Sequence, residues 1–155
     1  MTAIREQIET RLPIDAAFAY VADFDHQAEW DPGTETSTAL DGGPIRVGSR
    51  FRLDVHIGPR TAPMEYVITV LEAPRRVVLV GTGSGVTSTD DIRFEPTPTG
   101  ATRVDYRAEI KLSGLLGLVQ PLLGGAFRNL GRRAADGMRT QLDARAGTTL
   151  PGGTQ

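Results

Sequence analysis

The sequence predicts one α+β domain, in which an antiparallel sheet of about seven strands packs against a single long C-terminal helix. Three observations predict it. Residues 34–112 break into short runs of period two, bounded by Gly, Pro and Asp. From Leu116 to Leu142 the apolar residues instead recur with a period of about 3.6. The 155-residue chain is the size of one domain and shows no internal repeat or dividing linker. Residues 1–146 are therefore read as a single domain and 147–155, rich in Gly, Thr and Pro, as a disordered tail.

The elements follow in order. Ile4, Glu6, Ile8 and Thr10 alternate with Arg5, Gln7, Glu9 and Arg11, which predicts a first strand over Ala3–Leu12 that Pro13 ends. Ile14, Ala17, Phe18 and Val21 then recur at helical spacing, with Asp15 as the expected cap. A second short helical piece is expected from about Asp25 to Trp30, stopped by Asp31-Pro32-Gly33. Thr34–Leu40 is a polar edge strand, followed by the Asp41-Gly42-Gly43-Pro44 turn. In Ser49–Ile57, the side chains of Phe51, Leu53, Val55 and Ile57 share one face, and Arg50, Arg52, Asp54 and His56 the other. Gly58-Pro59 turns the chain into Pro63–Leu71, where Met64, Tyr66, Ile68 and Val70 are in register. Further strands are read at Arg76–Gly81, Val86–Glu95 and Thr102–Leu112. Short strands joined by hairpin turns imply an antiparallel meander.

After Ser113-Gly114 the helix begins. Leu116, Val119, Leu123, Phe127, Leu130, Ala134, Met138 and Leu142 form its apolar face, opposed by Arg128, Arg132, Arg133, Asp136, Arg139 and Asp143. Pro121 removes an internal hydrogen bond and should kink the helix or start its main segment. The apolar start, Leu115, Leu116, Leu118, Leu122 and Leu123, reads either as core or as a gate hinged on Gly114, Gly117 and Pro121. Gly124 and Gly131 lie at the edge of the apolar face; each costs up to about 1 kcal/mol relative to Ala, so a steric reason is expected, either close packing on the sheet or an open space beside the helix.

Composition excludes several function classes. There is no cysteine, so disulfides and thiolate chemistry are out. The two histidines, His26 and His56, lack ligand spacing, so no metal site and no cofactor are expected. A net charge of −2 carries no basic footprint for nucleic acid. Met1–Thr10 is too polar for a signal peptide, and Leu115–Leu123 is too short for a membrane span, so a cytoplasmic protein, monomer or homodimer, with at most transient membrane contact, is the expectation.

Taken together, five local patterns in order resemble the helix-grip fold of the START-like superfamily, which includes Bet v 1 relatives and the polyketide cyclase/dehydrase and lipid-transport families. They are the strand-Pro13-helix run from Ile8 to Val21, Ala28–Pro32 (AEWDP), Gly48-Ser49-Arg50-Phe51, Glu72–Gly81, and Ile92–Ile110. With the last helix they cover about residues 3–145. The resemblance implies a cavity between helix and sheet that holds an apolar small molecule. The expected lining is Phe51, Leu53, Val55, Met64, Tyr66, Ile68, Leu79, Ser88, Asp90 and Tyr106 from the sheet, Val119, Leu123 and Phe127 from the helix, and Trp30 at the mouth, where a structural anchor is the other reading.

Fold does not decide activity. One reading is a binder or carrier of a lipid or polyketide-like metabolite. Another is an aromatase/cyclase or dehydratase in which Asp90, Tyr66 or Tyr106 acts on an enolisable carbonyl. A third is a regulatory interaction module. Both small-molecule readings require a cavity of roughly a few hundred Å³. Asp90 is either a carboxylate buried in that cavity or a strand-end residue meeting water, Arg93 or Arg107. Tyr66 and Tyr106 either orient a ligand or bond to backbone or water. Asp91 and His56 are expected to face outward unless a β-bulge slips the register and turns them in.

Overall fold

The computed structural model describes the backbone of residues 1–152 and the side chains of residues 1–147. The elements run β1 (Thr2–Thr10), α1 (Ile14–Ala22), a 3₁₀ turn (Phe24–His26), α2 (Gln27–Trp30), β2 (Thr34–Ala39), β3 (Arg50–Ile57), β4 (Arg60–Glu72), β5 (Arg76–Gly83), β6 (Val86–Pro96), β7 (Thr102–Leu112) and α3 (Leu115–Gly152). The backbone of α3 thus runs on through Gly152, into the segment read as a tail, whose last residues, 153–155, lie outside the described residues.

The strands form one sheet in the order β1-β7-β6-β5-β4-β3-β2, with every pairing antiparallel. The meander accounts for β2 to β7, and β1 returns beside β7 to complete the seven strands. Two register shifts occur, at Thr34/Thr36 in β2 and at Ile68/Val70 in β4. The β3–β4 pairing runs unbroken from Arg50↔Val67 to Ile57↔Arg60, so no bulge turns His56 inward.

Two layers cover the apolar face of the sheet. At one end, α1 and the 3₁₀ turn supply aromatic rings: Phe18 packs edge-on to Phe94 at 5.1 Å, and Phe24 lies 6.2 Å from Phe51 and 5.5 Å from Tyr66. Pro13 occupies the cap position of α1 with no side-chain bond, and Asp15 sits in the first turn, where its charge favours the helix dipole but does not cap it. Asp23 caps the 3₁₀ turn instead, accepting from the Asp25 N–H at 3.1 Å.

Along the rest of the face lies α3, with Phe127, Ala134, Ala135, Met138, Leu142 and Ala146 buried. The helix is continuous through Pro121. Its glycines mark close packing. A Cβ on Gly131 would strike Ile4 of β1, and one on Gly137 would strike the Trp30 carbonyl, whereas Gly124 meets only the Arg128 guanidinium at 3.3 Å. The steric reason at Gly131 is therefore contact with a strand. The first turns of α3 are less embedded than their pattern implies: Leu115, Leu118 and Leu122 are 85%, 77% and 82% exposed, so these three are not core. Gln120 tethers this stretch, its Oε1 accepting from the Leu112 N–H at 3.1 Å and its Nε2 donating to the Ile110 carbonyl at 2.6 Å.

Candidate functional site

Register brings the polar inward-facing residues together. Tyr66 pairs with Gly81, Gly81 with Ser88, and Ser88 with Ile110. Two residues further along β6, Asp90 lies between Leu79 and Ala108, diagonal to Tyr106. The position between Tyr66 and Ser88 has no side chain, and the Tyr66 ring lies across it: a Cβ on Gly81 would come within 2.7 Å of the ring's Cε1. Gly81 is thus what lets Tyr66 cross β5 toward β6, where its hydroxyl comes beside the Ser88 side chain.

Asp90 is 2% exposed. Its Oδ1 accepts from the Ser88 hydroxyl at 2.8 Å and its Oδ2 from the Tyr106 hydroxyl at 2.7 Å. Among the described residues no guanidinium reaches it, so the reading of Asp90 as a strand-end partner of water, Arg93 or Arg107 does not hold. Asp91 takes the arginines, meeting Arg76 at 3.1 Å and Arg93 at 3.3 Å on the outer face. Burial pushes the Asp90 carboxyl up to about 6, with the Tyr106 and Ser88 hydrogen bonds opposing and the nearby Asp31 charge adding. Burial and the Asp90 charge push both the Tyr66 and the Tyr106 hydroxyl well above the ordinary tyrosine value, so both remain donors at neutral pH.

A cavity opens over these groups. Its floor includes Met64, Tyr66, Val86, Ser88, Asp90 and Tyr106, β1 and β7 contribute Ile4, Ala108 and Ile110, and α3 supplies Phe127, Leu130, Gly131 and Ala134. Val55, Ile57 and the exposed His56 stand on the β3 side, with Gln27, Asp31, Gly33 and Thr34 from the chain around α2. Its volume is about 100 Å³, less than the few hundred the small-molecule readings expect. Among the described residues, no three His, Asp or Glu side chains gather as a metal-ligand set.

Of the expected lining, Val55, Met64, Tyr66, Ser88, Asp90, Tyr106 and Phe127 stand on the cavity wall. Phe51, Leu53, Ile68 and Leu79 do not: they face inward but are fully buried, at the end of the sheet that the Phe24 and Phe18 rings already fill. Trp30 is likewise buried behind the wall, its ring edge-on to Tyr106 at 6.0 Å, which is the anchor role. Val119 and Leu123 lie one to two turns before Phe127 and do not reach the space.

Among the wall residues outside the expected lining, Asp31 and Gln27 carry the most chemistry. Asp31 was read as a helix stop, which it is, but its carboxylate also faces the cavity. It accepts from the Gly33 N–H at 2.8 Å, the Thr34 hydroxyl at 2.9 Å and the Gln27 amide at 3.1 Å. Burial pushes its carboxyl upward, against those bonds and the His56 charge. Gln27 is 3% exposed and was not singled out. The signal available was the AEWDP pattern itself, an acid directly before Pro at the end of a one-turn helix.

The profile of the polyketide cyclase/dehydrase and lipid transport family matches residues 1–143. The chain belongs to that family. Its fold is shared by solved structures of low identity. The Zhui aromatase/cyclase from Streptomyces sp. R1128 is 14% identical with a TM-score of 0.76, covering 93% of this chain and 94% of that one. A START superfamily protein from Mycobacterium smegmatis is 14% identical at 0.71, covering 96% and 99%. A protein from Thermus thermophilus is 13% identical at 0.74, covering 92% and 98%. No curated protein matches the chain. Family and fold together fit hydrophobic ligand binding or polyketide cyclase/dehydrase activity. Among the described residues, no helix is long and apolar enough to cross a membrane.

Proposed function

We propose that the cavity binds the carbonyl end of a small, largely apolar ligand and transfers a proton at the carbon beside that carbonyl. Such a step opens both aldol-type cyclisation and dehydration. The observation that carries this reading is Asp90, a carboxylate buried at an apolar cavity and held by two hydroxyls without a cation. Burying such a group is costly, and a simple container for hydrocarbon has no use for it. The volume falls short of the few hundred Å³ that either small-molecule reading requires, and so narrows the proposal to a ligand of which only one end enters. About 100 Å³ is too little to enclose a lipid, but it receives one ring or a short chain, with the rest of a longer ligand leaving beside the exposed His56.

In this reading the ionised Asp90 takes the α-proton. Ser88 and Tyr106 orient its two oxygens, and Tyr66, a donor at neutral pH, supports the enolate oxygen. Asp90 then returns the proton to the product or to water. A base near 6 is suited to this work around neutral pH.

The test needs no knowledge of the natural substrate. Cyclohexanone is incubated with the protein in D₂O, and exchange of its α-protons is followed by NMR. The expected result is exchange above the buffer rate, lowered about 100-fold or more in Asp90→Asn. Exchange no faster than buffer, or equal in Asp90→Asn, would remove Asp90 from proton transfer.

A further inference from the structure

Apart from the Tyr66 hydroxyl, which the proposed function leaves to the ligand's carbonyl oxygen, the hydrogen-bond inventory of the cavity is one-sided. The Ser88 and Tyr106 hydroxyls are both spent on Asp90, and the Thr34 hydroxyl and one Gln27 amide proton are spent on Asp31. The Gln27 amide can only be oriented one way, because its nitrogen must face the Asp31 carboxylate at 3.1 Å. Its Oε1 is then left buried with no partner among the described residues. A buried acceptor without a donor is costly, and this one belongs to a side chain of the cavity wall. Among the described residues the walls contain no Lys or Arg, and the one group there able to carry positive charge is His56, which is exposed. Two carboxyl side chains and the Gln27 side chain, whose amide oxygen is buried and unmatched, thus line a space of about 100 Å³.

We infer that the α2 wall of the cavity, Gln27 Oε1 backed by Asp31, recognises a hydroxyl group on an uncharged ligand end of single-ring size, and that the cavity rejects carboxylates. The inference rests on the reading of the cavity as the ligand site and adds the class of ligand: neutral and hydroxylated rather than a free fatty or polyketide acid. An uncharged hydroxyl is favoured over an ammonium because three donors already engage Asp31 and two engage Asp90, so that a single donor to Gln27 completes the inventory. At about 100 Å³ the space is smaller than the cavity of about 150 Å³ that takes benzene, so a single ring is the upper limit of what enters and part of it stays at the open side.

The experiment compares benzene, phenol, benzoate and benzylamine at pH 7, with dissociation constants from amide chemical-shift titration. Phenol is expected to bind about five- to tenfold tighter than benzene, the effect of one hydrogen bond, with benzoate and benzylamine weaker than benzene. Gln27→Met keeps length and removes the acceptor; it should abolish the phenol advantage and leave benzene within about twofold. That variant also separates Gln27 from Asp90, to which phenol could bind as an enol mimic. Benzoate or benzylamine binding as tightly as phenol would overturn the inference. So would phenol binding no tighter than benzene, no binding by any of the four, or a phenol advantage that survives Gln27→Met. The wild-type comparison decides without the variant should Gln27→Met not fold. No turnover is measured, so failure of the α-proton exchange test and failure of this one are separate results.

Discussion

Asp90 has two hydroxyl partners and no cation, so its proton affinity is set mainly by burial, with the partners pulling the other way. Removing one partner should therefore raise it: Tyr106→Phe is expected to move the Asp90 midpoint above about 6, as read by carboxyl-carbon NMR. The same burial links the residue to stability. The native state holds the proton more tightly than the unfolded chain, where the ordinary value is 3.8, so stability falls as pH rises from there through about 6. Asn carries no charge to bury. Asp90→Asn should then gain about 1–3 kcal/mol on wild type between pH 4 and pH 8 in urea unfolding; a difference independent of pH would contradict this. Gly81 is the other decisive position. Gly81→Ala should destabilise by about 1–3 kcal/mol through overpacking against the Tyr66 ring, and should slow α-proton exchange as Tyr66 moves.

At the scale of elements, α3 is two different helices in energetic terms. Between Phe127 and Ala146 its inner face is core, with Met138 and Leu142 fully buried; its first turns hold exposed leucines and are tied down by Gln120. Met138→Ala should cost about 2–5 kcal/mol, whereas Leu118→Ser should change unfolding free energy by no more than about 0.5 kcal/mol. Equal effects would mean that the start of α3 is packed after all. The period of 3.6 was legible throughout this helix, and it located the buried face from Phe127 onward. Leu115, Leu118 and Leu122 lie off that periodic face, so only their apolar character suggested core, and they are exposed. Alternation correctly placed Phe51, Leu53, Ile68 and Leu79 inward, but how far along each strand the aromatic layer ends depends on Phe18 and Phe24, which come from α1 and the 3₁₀ turn.

For the molecule as a whole, the site lies where three separately legible parts meet: the β6–β7 pair, the α2 wall and the buried half of α3. Asp90, Tyr66 and Tyr106 could be picked from the sequence because each is a polar residue on an otherwise apolar strand face. Gln27 and Asp31 could not, because α2 is a single turn with no period, and their orientation follows from the Asp31 hydrogen bonds to Gly33 and Thr34. The two carboxyl groups couple across the cavity, each Asp90 proton being held more tightly by the Asp31 charge. Burial is the centre of the account, with the Asp31 charge adding least, and carboxyl-carbon NMR titration of Asp90 in the wild type and in Asp31→Asn tests it most directly. The wild-type midpoint should fall near 6 and move down in Asp31→Asn; a midpoint near the ordinary 3.8, unmoved by the substitution, would contradict a buried acid–base site.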